Sequence, residues 1–137
     1  MKIKDVMTKD PATLKPDATC VEAAKLMKRE DCGSLPIVEG DRLVGIVTDR
    51  DIVVRCLASD KDARMTRVSD VMSPDPITIG SDEDAQRAQQ IMAEHQVRRI
   101  PVTDDGRLVG LVVIGQLARR ESSEERVGDT LKEISKP

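Results

Sequence analysis

The sequence predicts a mixed α/β (α+β) protein, built from two β-α-β-β-α repeats that pack pseudo-symmetrically through their sheets. Three observations support this prediction. The chain repeats itself at an offset of 65 residues, each half shows the same order of strand and helix spacing, and the 137 residues include no Phe, Tyr or Trp. The core must therefore be aliphatic. A half of about 50 residues buries too little apolar surface to be stable alone, so we expect the two halves to share a core.

An internal duplication organises the chain. Asp5-Val6-Met7 aligns with Asp70-Val71-Met72, and Arg42-Leu43-Val44-Gly45 aligns with Arg107-Leu108-Val109-Gly110. Of the 44 pairs aligned from residue 4 to residue 47, 15 are identical, whereas composition alone would give roughly 6%. The predicted divisions are repeat one at residues 1–58, a charged surface linker at 59–67, repeat two at 68–120 and a C-terminal tail at 121–137.

Each element of the first repeat has a local signal. Apolar residues recur at helical spacing after Pro16-Asp17, and Cys32-Gly33 is expected to end that helix. Val/Ile-rich runs on both sides of Glu39-Gly40-Asp41 predict a hairpin. The predicted elements are an extended segment at 11–14, a helix at 18–30, strands at 34–38 and 42–47, and a second helix from Thr48 whose apolar face carries Ile52, Val53 and Leu57.

The second repeat is predicted to copy the first. Its elements are an extended segment at 77–79, a helix at 83–94, strands at 99–103 and 107–112, and a helix from about Ile114. The turn Asp104-Asp105-Gly106 is a strong hairpin signal. In the tail, Val127, Leu131 and Ile134 fall at helical spacing, which favours a terminal helix that docks on the body or on a second copy. A disordered tail is the alternative.

Composition excludes several functions. The net charge of −3, the pI near 5.3 and the missing aromatics argue against nucleic-acid binding. No apolar run approaches the ~20 residues of a membrane span, and no signal peptide is visible, so we expect a cytoplasmic protein. Three cysteines and the single His95 form no typical zinc or disulfide pattern. No nucleophile–base set is suggested, and therefore no catalytic or metal site is predicted.

Several motifs together resemble a tandem pair of cystathionine-β-synthase (CBS) domains, similar to small stand-alone bacterial members. They are the run Gly45-Ile46-Val47-Thr48-Asp49-Arg50-Asp51-Ile52, the two Asp-Val-Met openings, and Ile100-Pro101-Val102 with Gly110-Leu111-Val112. The resemblance implies a regulatory module that binds AMP, ADP, ATP or S-adenosylmethionine without turnover. It also implies a homodimer, a disc of four CBS motifs, that acts through itself or an unidentified partner protein. A scaffold that only dimerises and binds no ligand is the alternative.

The resemblance places the ligand at the start of the second helix of repeat one. Asp51 would accept from both ribose hydroxyls, and Thr48 would donate to a phosphate oxygen near the free N–H groups of the helix. Gly45 would let the backbone pass close to the ligand, and the base would be enclosed by aliphatic and backbone groups, namely Ile46, Val47, Ala12 and Thr13. Thr48-x-x-Asp51 is also close to a capping box, which only closes a helix.

The two repeats differ in charge at this site. Repeat two has Val113 and Gln116 in place of Thr48 and Asp51, so one adenosyl site per chain is predicted. It has Arg98 and Arg99 in place of uncharged residues. In the family, this segment faces the cleft of the other repeat, so the pair is expected to bind the phosphates with the planar forks of their guanidinium groups. Arg50 is a further candidate for phosphate contact.

We therefore predict that Arg98→Ala and Arg99→Ala weaken AMP or ATP binding far more than adenosine binding. A favourable cation at a phosphate contributes ~1.5–3 kcal/mol, or roughly one to two decades of affinity. Isothermal titration calorimetry measures this, with Lys61→Ala in the linker as the charge-matched control. An equal loss for adenosine would show that the arginines do not recognise phosphate.

Overall fold

A computed structural model describes residues 1–115 and residue 117. The chain forms two compact units: the first unit is Ala12–Pro76, and the second unit combines Met1–Pro11 with the described residues from Ile77 onward. The first unit therefore includes the beginning of the predicted repeat two, and the second unit includes the beginning of the predicted repeat one. The repeat boundaries themselves stay a prediction.

The described helices and strands follow the predicted alternation and confirm the mixed α/β class. In chain order they are α1 (Ile3–Val6), β1 (Thr8–Lys9), α2 (Cys20–Glu30), β2 (Ser34–Glu39), β3 (Arg42–Thr48), α3 (Asp49–Asp51) with a π-helical continuation (Ile52–Leu57), a 3₁₀ turn (Val68–Asp70), β4 (Ser73–Pro74), α4 (Ala85–His95), β5 (Arg99–Asp104) and β6 (Arg107–Val113).

In the first unit, β2 and β3 form an antiparallel hairpin that runs from Ser34 opposite Thr48 to the tight turn at Gly40. Strand β4 pairs with the other edge of β3, with Pro74 opposite Gly45. Helix α2 packs beside this sheet, and the enclosed core is aliphatic and thiol-rich, as the absence of aromatics requires. Its buried members are Leu14, Ala18, Cys20, Ala23, Met27, Leu35, Ile37, Val47, Ile52, Cys56, Val68 and Val71.

The second unit repeats this arrangement. Strands β5 and β6 form the hairpin, and β1 pairs with the outer edge of β6, with Lys9 opposite Gly110. Helices α1 and α4 cover the core, whose buried members are Ile3, Val6, Ile79, Ala85, Ala88, Ile91, Met92, Ile100, Val102, Val112 and Leu117. Duplication in the sequence therefore produces duplication in the packing.

The extended segments predicted at 11–14 and 77–79 are reduced to single parallel bridges. Leu14 pairs with Ile37, and Ile79 pairs with Val102. Pro11 and Pro16 lack the N–H groups that a longer ladder would need. The antiparallel partners at the sheet edges are instead the short strands that follow each Asp-Val-Met motif.

The ends of the predicted helices also differ in detail. Helix α2 ends at Asp31, which adopts the left-handed conformation (φ 51°), and not at Gly33. In the helix after Thr48, Ile52 and Cys56 are buried but Val53 and Leu57 are exposed. Ile52 and Cys56 are four residues apart and share the buried face of this π-helical segment, whereas Val53 and Leu57 share a different, exposed face.

The predicted linker is more than a surface connection. The N–H groups of Cys20 and Val21, at the start of α2, donate to the carbonyls of Thr66 and Ala63. These donors have no partner within their own helix, so the linker supplies the acceptors. Thr66 is buried as a result.

The tail at 121–137 lies outside the described residues. Within the described ranges, no helix is long and apolar enough to cross a membrane.

One packing contact explains why the repeats share both an Asp-Val-Met motif and a glycine. A Cβ on Gly45 would lie 2.5 Å from Met72 Sδ and 3.0 Å from the Ser73 carbonyl oxygen. A Cβ on Gly110 would lie 2.5 Å from Met7 Sδ. The methionine therefore occupies the space above the glycine, and the following residues pair as the edge strand.

We predict that Gly45→Ala destabilises the protein by about 1–3 kcal/mol, because the new methyl group overlaps Met72 and backbone that cannot move freely. Urea denaturation followed by circular dichroism measures the change. Gly115→Ala is the matched control, since nothing lies within 4 Å of its added Cβ. Equal midpoints for Gly45→Ala and wild type would refute the contact.

Candidate functional site

Thr48 and Asp51 bond reciprocally at the junction of β3 and α3. The Thr48 N–H donates to Asp51 Oδ2 over 2.9 Å, and the Asp51 N–H donates to Thr48 Oγ1 over 3.0 Å. Asp51 is only 9% exposed. The capping box is therefore present, and it holds a buried carboxylate in one orientation at the end of a strand.

Arg55 is a neighbour of this carboxylate that the sequence analysis missed. Its Nε lies 3.8 Å from Asp51 Oδ1, while its Nη1 donates to the carbonyls of Val71 and Met72 over 3.2 and 3.3 Å. The guanidinium thus connects Asp51 to the segment that leads into β4. The i, i+4 spacing of Asp51 and Arg55 on a predicted helix was the available signal.

The expectation of free N–H groups at this helix start is wrong. The Asp49 N–H donates to the Gly33 carbonyl, the Arg50 N–H to Asp49 Oδ1, and the Asp51 N–H to Thr48 Oγ1. The Ile52 N–H continues the helix by donating to the Asp49 carbonyl. Every donor of the first turn has an acceptor within the chain. An anion would find no unpaired backbone donor there.

The residues expected around a base differ in accessibility. Val47 is fully buried in the core of the first unit, whereas Ile46 and Ala12 are half-buried and Thr13 is exposed. The close approach that Gly45 permits is made by Met72. The Thr48 hydroxyl, which accepts from Asp51, keeps its own proton for donation.

The arginines belong to different contact-defined units. Arg50 is exposed in the first unit, while Arg98 is exposed and Arg99 half-buried in the second unit, at the start of β5. Their contribution to a phosphate site stays a prediction. Val113, which replaces Thr48, ends β6, and Gln116 lies outside the described residues.

The three cysteines are free thiols, and Cys32 is only half-buried. Cys20 and Cys56 are buried in one core, where desolvation and the neighbouring Cys56 raise the pKa of Cys20 to about 11. His95 is an exposed residue at the end of α4. Among residues 1–115 and 117, no group of three or more His, Cys, Asp or Glu side chains is placed to hold a metal ion.

The repeats match a known family. The sequence model of the CBS domain matches residues 3–57 and 68–123, so the chain is a CBS-domain pair and belongs to that family. The chain is 43% identical over 133 residues to the CBS domain-containing protein YhcV of Bacillus subtilis, covering 97% of this chain and 94% of the relative. It is 33% identical over 135 residues to Hypoxic response protein 1 of Mycobacterium tuberculosis, covering 98% and 94%.

Solved structures of CBS pairs share the fold. Hypoxic Response Protein I with two coordinated zinc ions gives a TM-score of 0.81 at 34% identity, covering 88% of this chain and 99% of that chain. CBSX2 in complex with AMP gives 0.75 at 27%, covering 86% and 93%; CBSX2 is from Arabidopsis thaliana. The CBS pair of MJ0100 with 5′-methylthioadenosine and S-adenosylmethionine gives 0.75 at 31%, covering 87% and 94%.

We predict that Thr48→Val destabilises the protein by about 1 kcal/mol, because the Asp51 N–H loses its acceptor at the helix start. Denaturant unfolding measures the loss. Thr13→Val makes the same chemical change at an exposed threonine with no hydrogen bond to the described residues, and its midpoint is expected to stay close to that of wild type. Equal midpoints for Thr48→Val and Thr13→Val would contradict a capping role.

Proposed function

We propose that the protein is a regulatory module that binds an adenosyl ligand, AMP, ADP, ATP or S-adenosylmethionine, at the first repeat and does not turn it over. The observation that carries the proposal is the buried carboxylate of Asp51, held at a strand end in a CBS pair. The complexes of CBSX2 with AMP and of MJ0100 with S-adenosylmethionine support the ligand class.

The chemistry of the junction suits a ribose. A buried carboxylate that faces two hydroxyls makes charge-assisted hydrogen bonds, each of about 1.5–3 kcal/mol. Asp51 Oδ2 already accepts from a backbone N–H, which fixes its direction, and Oδ1 lies 3.8 Å from Arg55 Nε. The Thr48 hydroxyl donates toward the 5′ side of the same sugar. Half-buried Ile46 and Ala12 offer apolar contact for the base.

The proposed module works as a cytoplasmic homodimer, in which ligand changes the balance between two arrangements. The helix that follows Asp51 exposes the apolar side chains of Val53, Val54 and Leu57. This supports the proposal that a second protein chain covers that surface. A change at Asp51 would reach that surface through one helix. The output passes through the dimer itself or an unidentified partner protein.

A scaffold that binds no ligand is the second candidate function. It is favoured by the capping box, because Thr48 and Asp51 already satisfy each other without a ligand. In that case the pair stabilises the helix only. A thermal-shift screen with adenosine, AMP, ATP and S-adenosylmethionine separates the two functions, since a ligand that binds the native state raises its melting temperature.

We predict that Asp51→Ala leaves the fold intact and weakens adenosine and AMP binding by at least tenfold, because both ribose hydroxyls lose their acceptor. Calorimetry measures the two affinities. Asp17→Ala, which removes an exposed carboxylate of the same unit, is the charge-matched control.

Two outcomes would contradict this assignment in different ways. Equal affinity in wild type and Asp51→Ala would remove the ribose role of Asp51 but keep ligand binding. If no adenosyl compound raises the melting temperature of the wild-type protein, the ligand-binding function is refuted. The scaffold is then the remaining candidate function.

A further inference from the structure

The carboxylate of Asp49 lies directly over the backbone of Gly33. A Cβ at Gly33 would be 3.0 Å from Asp49 Oδ2 and 3.5 Å from Oδ1, so the missing side chain of Gly33 makes room for the acid. The two residues are also joined by the bond from the Asp49 N–H to the Gly33 carbonyl. This places a negative charge beside Thr48, at the end of β3.

This charge has no cation to neutralise it within the described residues. Arg50, the next residue, forms no ion pair with Asp49 within 4.0 Å, and Arg55 approaches Asp51 instead. Among residues 1–115 and 117, the Arg50 backbone N–H is the group that donates to Asp49 Oδ1. The positive end of the helix is thus covered by the acid of its own first residue, and the neighbouring N–H donors are occupied.

The second repeat has the opposite polarity at the aligned positions. Ile114 stands in place of Asp49, and Arg98 stands in place of Gly33, with the same backbone bond from the Ile114 N–H to the Arg98 carbonyl. The backbone geometry therefore requires neither the acid nor the glycine. The repeat that carries Asp51 combines both, which points to a role for the charge in the site and not in the fold.

We propose that Asp49 is a specificity residue that acts against a phosphate on the 5′ carbon of the adenosyl ligand and favours a neutral or cationic 5′ substituent. The inference rests on the proposed function. In the proposed binding mode the ribose lies on Asp51 with its 5′ side toward Thr48, and the 5′ substituent lies toward the Asp49 carboxylate above Gly33. A phosphate there meets a carboxylate at short range, whereas a hydroxyl, thioether or sulfonium group does not. Repulsion between like charges at this range changes affinity by roughly tenfold.

The test compares AMP, adenosine and S-adenosylmethionine by calorimetry on wild type, Asp49→Asn and Glu39→Gln. Asparagine keeps an oxygen that accepts from the Arg50 N–H, so the helix start is retained. Glu39→Gln makes the same change in net charge at an exposed residue at the end of β2. We expect Asp49→Asn to strengthen AMP binding about tenfold. Adenosine is expected to change less than twofold, S-adenosylmethionine to bind no tighter, and the control to leave all ratios unchanged.

An unchanged ratio of AMP to adenosine affinity in Asp49→Asn would overturn the inference while the adenosyl site itself stands. The same holds if Glu39→Gln raises AMP affinity equally, because the effect would then come from net charge alone. Absence of binding by all three ligands to wild type would overturn the proposed function, and the inference with it.

Discussion

The reciprocal bonds between Thr48 and Asp51 determine what the first repeat can do. They close the helix start, and they also keep a carboxylate buried and oriented at the end of a strand. A buried carboxylate is costly unless its oxygens are paired, and here a backbone N–H and the guanidinium of Arg55 supply that pairing. The local structure thus holds the acid in place before any ligand arrives. Capping and binding are compatible, because Oδ2 serves the cap, while Oδ1 lies 3.8 Å from Arg55 Nε, which is beyond hydrogen-bond distance.

The sheet that carries this junction depends on the contact of Met72 with Gly45. The methionine covers the glycine of β3, and the chain then turns into the edge strand β4. Arg55 donates to the carbonyls of Val71 and Met72, so the same segment also contacts the helix that follows Asp51. Movement of that helix would therefore displace the segment that leads into β4. The second unit has the corresponding contact between Met7 and Gly110, but Val113 stands where Thr48 would complete the junction.

Periodicity and duplication predicted most of the fold. Both hairpins and helices α2 and α4 are found within a few residues of their predicted bounds, because hydrophobic spacing and turn residues are local signals. The sequence did not predict Asp31 as the left-handed end of α2, because glycine is the residue usual at that position. Nor did it predict the π-helical turn after Ile52. The linker carbonyls that complete α2 depend on a contact between distant segments. At the site, the pairing of Thr48 with Asp51 was predicted as one alternative. The occupied N–H groups and the placement of Asp49 over Gly33 could be seen only in the three-dimensional structure, because they depend on side-chain and backbone positions that the sequence pattern does not specify.

The proposed function depends on hydrogen bonds from the ribose of an adenosyl ligand to the Asp51 carboxylate. Its most direct test is the affinity of the unmodified protein for adenosine, 2′-deoxyadenosine and 3′-deoxyadenosine, measured in one titration series. We expect loss of either hydroxyl to weaken binding by about tenfold or more, because each loss removes a charge-assisted hydrogen bond. Equal affinity for all three nucleosides would contradict it.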